Sequence, residues 1–233
     1  MDVRGARILV PGASGALGGA LVGLLHGRGA TVAVAGRDRA ALDRLAAAHG
    51  GLPARQFDAY DLDACAGTVR WAAERLGGLD AVVVCVGVAA FGPADAVGDA
   101  VAEHLVTVNA LAPIAFLRAA LTVVPPGGVL AAVTGMVART PVAGMADYSA
   151  AKAALSAWLS AVRRERRRSG VGVLEIRLPH LDTGFAGRAV AGRPGALPDG
   201  LPVERAVDAI VGALESGGRL VRSGDGGTLE TVP

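Results

Sequence analysis

Short apolar runs alternate with longer amphipathic stretches along the chain. The runs are rich in Val, Leu, Ile and Ala and predict strands at 6–10, 31–35, 53–58, 81–86, 128–134, 171–178 and 219–222. The stretches between them carry apolar residues at helical spacing and predict helices at 16–28, 38–49, 61–76, 98–122, 146–169 and 203–216. Repeated strand-helix units give parallel strands with right-handed crossovers and helices on both faces. We therefore expect one doubly wound α/β domain over residues 1–233, with about seven strands.

The uncharged stretch 8–25 is similar in length and polarity to a signal peptide or a short membrane span. Pro11 and five glycines interrupt it, and its first residues have the apolar pattern of a strand. We interpret the stretch as a strand, a sharp turn and a helix, and expect no membrane partner.

Composition narrows the possible partners. The chain has a net charge of +2, so nothing in it favours nucleic acid or an anionic membrane. The arginine-rich run 163–168 is interpreted as a solvated helix end, where cations suit the helix dipole. Two cysteines, Cys65 and Cys85, fit neither a disulfide framework nor a metal cluster. We expect a cytoplasmic protein without a metal site.

A glycine-rich loop joins the first predicted strand to the first helix. Gly12 allows the tight turn, Gly15 allows backbone amides to approach a pyrophosphate, and Gly18 allows the helix to pack close to the sheet. The first helical residues, Ala16 and Leu17, then direct their amides at the phosphates. The position of this loop after the first strand indicates a dinucleotide-binding Rossmann fold.

The end of the second strand distinguishes the two dinucleotides. An acidic residue there would hold the ribose 2′-hydroxyl of NAD, whereas this sequence has Arg37, which suits a 2′-phosphate. Ser14 and Arg39 are further candidate contacts, and Asp38 is the residue that argues against this assignment. We expect NADP as the cofactor.

Tyr148 and Lys152 form the strongest candidate for chemistry. Lys152 is the only lysine among 23 basic residues, which indicates a site that needs an ammonium and cannot use a guanidinium. Tyr148 lies four residues earlier, so the two side chains share one helix face. A neighbouring positive charge would lower the pKa of the phenol from about 10 and make Tyr148 a usable acid or base.

With these motifs in place, the sequence resembles the short-chain dehydrogenase/reductase family over nearly its whole length. The resemblance implies that Lys152 binds the nicotinamide ribose and lowers the pKa of Tyr148, which exchanges a proton with the substrate oxygen. It also implies that Asp58 and Ala59 contact the adenine, and that Asn109 holds a water that relays protons to the lysine.

Three segments depart from the family pattern. Gly135 stands where the family has a serine, and Thr134 beside it would face the other side of the strand. In the segment after the fourth strand, only Gly87 matches the family pattern. The resemblance implies that Val86 and Gly87 contact the cofactor. After the sixth strand, His180 replaces a glycine and is a candidate donor for the missing hydroxyl.

Around His180, the resemblance implies cofactor contacts by Pro179, Leu181 and Thr183. Residues 184–202 occupy the place of a substrate lid, and their glycines and prolines would allow movement. Four side chains are candidates for an apolar pocket: Phe91, Met136, Met145 and Phe185.

The resulting hypothesis is an NADP(H)-dependent oxidoreductase that interconverts a carbonyl and a hydroxyl on a small, rather apolar substrate. Gly135 and His180 leave open a redox-neutral dehydratase, isomerase or cyclase, and a non-catalytic NADP-binding protein is the third possibility. The family resemblance also implies a homodimer or homotetramer that assembles through the helices at 98–122 and 146–169, with Phe116 and Trp158 as candidate contacts.

Overall fold

The fold is built on one sheet of eight strands, in the order β3-β2-β1-β4-β5-β6-β7-β8. The computed structural model describes residues 1–224 and 227–233. Its strands are β1 (Arg7–Pro11), β2 (Thr31–Gly36), β3 (Ala54–Gln56), β4 (Ala81–Val84), β5 (Val129–Val133), β6 (Gly172–Arg177), β7 (Leu220–Ser223) and β8 (Leu229–Val232). Every neighbouring pair is parallel except β7 and β8. The predicted doubly wound Rossmann fold is confirmed.

The helices are α1 (Ala16–Gly27), α2 (Arg39–Ala48), α3 (Leu62–Leu76), α4 (Asp99–Val106), α5 (Ala112–Ala120), α6 (Ala146–Glu165) and α7 (Val203–Ser216). A π-helical turn, Thr107–Leu111, joins α4 to α5 without a break. Short 3₁₀ turns cover Met136–Ala138 and Ala186–Arg188.

Two apolar cores lie on opposite faces of the sheet. On one face, buried leucines, valines and alanines of α1, α2 and α7 pack against β1, β2, β4, β5 and β6. On the other face, α3, α5 and α6 cover the alternate strand residues. The strands are therefore buried from both sides, as the continuous apolar runs in the sequence indicate. A third, smaller cluster beside Tyr148 lies beyond the carboxyl ends of the strands.

Two features differ from the sequence prediction. The chain adds an antiparallel strand, β8, which covers the outer edge of β7 and raises the count to eight. The long helix expected at 98–122 spans 99–120 and contains the π turn, which includes Asn109. Such turns are frequent at functional sites.

The continuous helix Asp99–Ala120 is apolar and long enough to cross a membrane, but half of its apolar window is buried inside the fold. Its α5 part carries residues of the core shared with α3 and α6. The stretch 8–25 forms β1 and α1, so it is not one continuous helix.

Candidate active site at the carboxyl edge of the sheet

The turn between β1 and α1 has the shape of a phosphate-binding loop. Gly12 has φ +89°, and a Cβ there would lie 2.6 Å from the carbonyl carbon of Cys85. A Cβ on Gly18 would collide with the backbone of Gly12, so this glycine allows α1 to approach the turn. Gly15 occupies the N-cap of α1 without a side-chain hydrogen bond, and the first turn has no acidic residue. The amides of Ala16 and Leu17 therefore begin a helix whose positive end is free for an anion.

The end of β2 supplies a cation beside this loop. Gly36 leaves room for Ser14, because a Cβ on Gly36 would lie 2.5 Å from the Ser14 hydroxyl oxygen. Arg37 follows and is exposed, and its side chain makes no hydrogen bond or ion pair within the described residues. Asp38 caps α2 by accepting a hydrogen bond from the Ala41 amide, and Arg39 pairs with Asp43. Asp38 is thus committed to the helix, whereas Arg37 is available for a phosphate.

The next loops continue the same edge of the sheet. Asp58 is exposed after β3, and one of its carboxylate oxygens accepts a hydrogen bond from the Tyr60 amide. Ala59 and Val86 both pack at the margins of the large α3–α5 core and of the small cluster around Tyr148. The sites predicted at the ends of β3 and β4 therefore lie against the same apolar surface.

Lys152 is buried beside Gly87. The side chain is 3% exposed, and its Nζ donates a hydrogen bond to the Val133 carbonyl at 3.0 Å. A Cβ on Gly87 would lie 3.1 Å from this Nζ, so glycine is what allows the ammonium to reach the backbone here. Burial lowers the pKa of Lys152 to about 8, while the Cys85 thiol acts in the opposite direction. A buried lysine with a lowered pKa is a candidate for a functional role.

Tyr148 lies one turn earlier on α6, in apolar surroundings. It is 9% exposed and packs with Val88, Leu105 and Ala151. Burial raises the pKa of Tyr148 to about 12. The expected lowering by Lys152 is therefore wrong for the ligand-free protein, because desolvation dominates and the lysine amine is turned towards Val133.

Asn109 is fully buried, and its side chain is used by the backbone. Its Oδ1 accepts a hydrogen bond from the Val88 amide at 3.1 Å, and its Nδ2 donates one to the Val88 carbonyl at 2.9 Å. The side chain thereby fixes the loop after β4 against the π turn. The role of Asn109 in a water relay stays a prediction. Because both polar groups of its side chain are bonded to Val88, a relay water would be held mainly by the backbone of the π turn.

The position of the family's serine has a backbone conformation that favours glycine, with open space in the direction of a side chain. Gly135 has φ +78°, and the nearest atoms to a Cβ there would be 3.9 Å away. Thr134 cannot supply the hydroxyl, since it is fully buried and donates to Glu175 at 2.9 Å. Glu175 in turn accepts two hydrogen bonds from Arg177, so this polar group is satisfied within the sheet.

His180 follows β6 at the same edge and is half-buried. Its carbonyl accepts a hydrogen bond from the Leu201 amide, while its ring makes none within residues 1–224 and 227–233. Pro179, Leu181 and Thr183 are also half-buried, and Leu181 forms a parallel bridge with Leu201. His180 and its neighbours thus follow β6 at the carboxyl edge of the sheet, and their contacts with the cofactor and substrate stay a prediction.

The expected lid is tied down more firmly than its composition indicates. Val190 donates to the Ala89 carbonyl, and Phe91 donates to the Ala191 carbonyl, so the segment pairs with the loop after β4. Phe91, Met145 and Phe185 are partly buried and pack against the Tyr148 cluster, while their role in lining a pocket stays a prediction. Met136 instead is 44% exposed and outside that cluster.

Sequence reasoning missed three backbone partners of the site. These are the carbonyl of Val133, the amide and carbonyl of Val88, and the close approach of Cys85 to the glycine loop. Of these three contacts, the sequence indicated only the one with Cys85, through Gly12. No group of three or more His, Cys, Asp or Glu side chains in the described residues is arranged to hold a metal ion.

These features define a doubly wound α/β protein with a glycine-rich nucleotide loop, and the sequence comparisons identify its family. The chain matches the short chain dehydrogenase family over residues 6–193. A cyclic-di-GMP-binding biofilm dispersal mediator protein of Escherichia coli (strain K12) is 32% identical over 184 residues, covering 77% of this chain and 74% of that protein. The chain belongs to the short-chain dehydrogenase/reductase family.

Solved structures agree with this assignment. A short chain dehydrogenase from Burkholderia cenocepacia J2315 in complex with NADP is 26% identical, with a TM-score of 0.80 and 92% of each chain covered. BdcA in complex with NADPH is 27% identical, with a TM-score of 0.79 over 92% of this chain and 89% of that chain.

Proposed function

We propose that this protein is an NADP(H)-dependent oxidoreductase that interconverts a carbonyl and a hydroxyl on a small, apolar substrate. The observation that carries the proposal is the burial of the only lysine against Gly87, one helical turn from Tyr148. A buried ammonium lowers the stability of the fold, so its presence here favours a functional role.

The residues at the sheet edge fit a dinucleotide, because the glycine turn leaves space that any Cβ would fill and α1 begins without a cap. Ser14 and Arg37 would hold the 2′-phosphate of NADP, and Lys152 would hold the nicotinamide ribose. The remaining proposed contacts are Gly12, Gly15, Ala16, Leu17, Gly18, Asp58, Ala59, Val86, Gly87, Tyr148, Pro179, Leu181 and Thr183. The NADP and NADPH complexes of two relatives support this choice.

NADPH, when bound, supplies the hydride that reduces the carbonyl carbon. Tyr148 donates the proton that the substrate oxygen needs, since its raised pKa keeps the phenol protonated at neutral pH. Lys152 is mostly protonated at pH 7, because its pKa is about 8, and it places a positive charge one turn from the phenol. In this arrangement the amine is bonded to the Val133 carbonyl and does not lower the phenol pKa, so the phenolate that remains after proton transfer regains its proton from solvent.

His180 is proposed as the donor that replaces the family's serine. The side-chain direction at Gly135 is open, its nearest neighbours being the Leu178 carbonyl and Val137. His180 follows two residues after Leu178 and has an unbonded ring in the described structure. A hydrogen bond from this ring to the substrate oxygen would stabilise the developing negative charge.

Cofactor titration is the first test. Calorimetry with NADPH and NADH should show tighter NADPH binding, and Arg37→Glu should weaken NADPH by tenfold or more while NADH changes little. Arg44→Glu is the matched control, because Arg44 is an exposed arginine on α2 whose side chain forms no hydrogen bond or ion pair within the described residues. Equal losses for both cofactors would remove Arg37 from the 2′-phosphate site, and no binding of either would end the oxidoreductase proposal.

A second experiment tests whether His180 takes part in the reaction. With a carbonyl substrate found by screening, His180→Ala should lower kcat by about 10²-fold with unchanged NADPH affinity. Adding Gly135→Ser should restore part of that loss, and His49→Ala serves as the control. A wild-type rate in His180→Ala would exclude the histidine. Product formation without consumption of NADPH would instead favour the redox-neutral reaction.

Cyclic-di-GMP binding is a second candidate function, favoured by the 32% identity to a cyclic-di-GMP-binding protein. Calorimetric titration of cyclic-di-GMP, with and without saturating NADPH, tests it directly. If saturating NADPH abolishes the binding of cyclic-di-GMP, then cyclic-di-GMP occupies the cofactor site. If cyclic-di-GMP does not bind at micromolar concentration, this candidate function is excluded.

We also propose that the protein is a homodimer or homotetramer, as the family implies. Phe116 cannot contribute, since it is fully buried against Phe57, and Trp158 is only partly buried at the core margin. Val106 and Leu111, which are 39% and 43% exposed on the α4–α5 surface, are better candidates. Light scattering of wild type and Leu111→Glu would test the assembly.

A further inference from the structure

The other end of the sheet carries an arginine-lined cleft that the redox reaction does not use. It measures about 490 Å³ and lies where the carboxyl ends of α6 and α7 meet the starts of β6 and β7. Its lining includes Arg163, Arg164, Arg166, Arg167 and Arg219, and its remaining walls are Gly170, Val171, Gly172, Val173, Gly217 and Gly218. We call this feature the arginine cleft. Its volume falls in the range of small-molecule sites.

The positive charge of the arginine cleft is larger than the helix dipoles at this end of the sheet would require. Residues 163–168 contain five arginines and one glutamate, a net charge of +4 in a chain whose total is +2, so the rest of the protein is net negative. Arg219 adds a further charge from the turn before β7. The carboxyl ends of two helices contribute only about −0.5 each. The cations therefore outweigh the dipoles several-fold.

These arginines are not neutralised by the protein. Within residues 1–224 and 227–233, the side chains of Arg164, Arg166, Arg167, Arg168 and Arg219 form no ion pair, whereas arginines elsewhere pair with Asp80, Glu215, Asp43 and Glu230. Crowded like charges repel one another, and a ligand with several negative charges would relieve this repulsion.

Arg163 gives the cleft a fixed anchor. Its Nε donates to the Val173 carbonyl at 3.1 Å and its Nη2 donates to the Arg219 carbonyl at 3.0 Å. The guanidinium is half-buried and held in place, and its remaining N–H groups are available. Burial and the nearby cations Arg177 and Arg219 lower the pKa of Arg163, although Glu175 opposes them. An anion bound beside Arg163 would be stabilised by a guanidinium that is already held in a fixed orientation.

We propose that the arginine cleft binds a small ligand carrying two or more phosphate groups, at a site separate from the cofactor. Lys152 and Arg163 are eleven residues apart on α6, which corresponds to about 16 Å along the helix axis. The cleft is concave and confined to one corner, whereas a nucleic acid needs an extended basic track. No large exposed hydrophobic residue lies on its lining segments in the described structure, so it also lacks the apolar anchor of a membrane-binding surface.

The test uses the NADPH-saturated full chain and inorganic tripolyphosphate as the probe, by calorimetry at about 0.15 M salt. Wild type should bind with micromolar affinity, and the double variant Arg164→Gln/Arg167→Gln should bind about tenfold or more weakly. Arg75→Gln is the matched control, because Arg75 is an exposed arginine in the last turn of α3. Unchanged melting temperature and NADPH affinity of the double variant would exclude misfolding as the cause.

Four results would overturn the proposal. Absence of tripolyphosphate binding would do so, as would equal binding by the wild type and the double variant. Probe binding that is present without NADPH and lost at saturating NADPH would assign it to the cofactor site. The last result concerns a single-stranded oligonucleotide and vesicles with anionic phospholipid. If either binds at the same arginines and tripolyphosphate does not displace it, the partner of the cleft is a macromolecule or a membrane.

Discussion

Replacing Lys152 by methionine should stabilise the ligand-free protein while removing its function. A decrease in the pKa of this buried lysine from 10.5 to about 8 corresponds to a cost of about 3 kcal/mol for keeping the ammonium charged at pH 7. Methionine has a similar length and carries no charge, so Lys152→Met removes this cost. The Val133 carbonyl then loses its partner, which costs about 1–2 kcal/mol. The expected net gain is about 1–2 kcal/mol.

The gain depends on pH in a defined direction. Below pH 8 the lysine is protonated in both the folded and the unfolded chain, so the folded state bears the full cost. Between about pH 8 and 10.5 the folded lysine loses its proton while the unfolded chain keeps it, so wild-type stability rises with pH relative to Lys152→Met. The advantage of the methionine variant should therefore shrink over this window.

Urea unfolding at pH 7 and pH 9.5, compared between wild type and Lys152→Met, measures this difference. Lys152→Arg is the control, because arginine stays charged at both pH values and its difference from methionine should not change with lysine ionisation. A methionine variant that is no more stable than wild type at pH 7, or whose advantage is the same at both pH values, would refute a buried ammonium with a lowered pKa.

Three further substitutions test other parts of the site. Gly12→Ala should destabilise by about 2 kcal/mol or more and abolish NADPH binding, because φ is +89° and the Cβ would meet Cys85; thermal melting and calorimetry check this. Asn109→Leu should cost about 2–4 kcal/mol in urea unfolding, since it leaves the Val88 amide and carbonyl unpaired; a cost below about 0.5 kcal/mol would contradict this. Tyr148→Phe should leave stability unchanged within about 0.5 kcal/mol, because the phenol has no hydrogen-bond partner in the described structure, while carbonyl reduction falls by at least 10².

The strand and helix order could be predicted because every central strand is buried on both faces and is therefore a continuous apolar run. β8 could not, because Leu229–Val232 has no such run and is held by its pairing with β7, including the Arg222–Glu230 ion pair. The π turn was also missed, since its five residues read as ordinary helix.

The candidate site was predictable in position but not in electrostatics. Spacing of four residues places Tyr148 and Lys152 on one face of α6, and the structure buries both there. Spacing says nothing about depth of burial or about the carbonyl of Val133, so it could not show that desolvation would raise the phenol pKa. Burial decides these pKa values, and it arises only when β4, β5 and α6 are brought together.

Gly135 illustrates why the missing serine is more than a side-chain change. A Cβ would fit there, since its nearest neighbours are 3.9 Å away, yet φ of +78° with ψ of 164° places the residue where side chains are disfavoured by about 1–3 kcal/mol. The backbone and the residue type are therefore coupled, and Gly135→Ser alone should lower the melting temperature by about 2–12 °C. If His180 supplies the donor, this variant gains little activity in the wild-type background and a clear increase only in His180→Ala. Equal increases in both backgrounds would mean that the two groups act independently on the substrate oxygen.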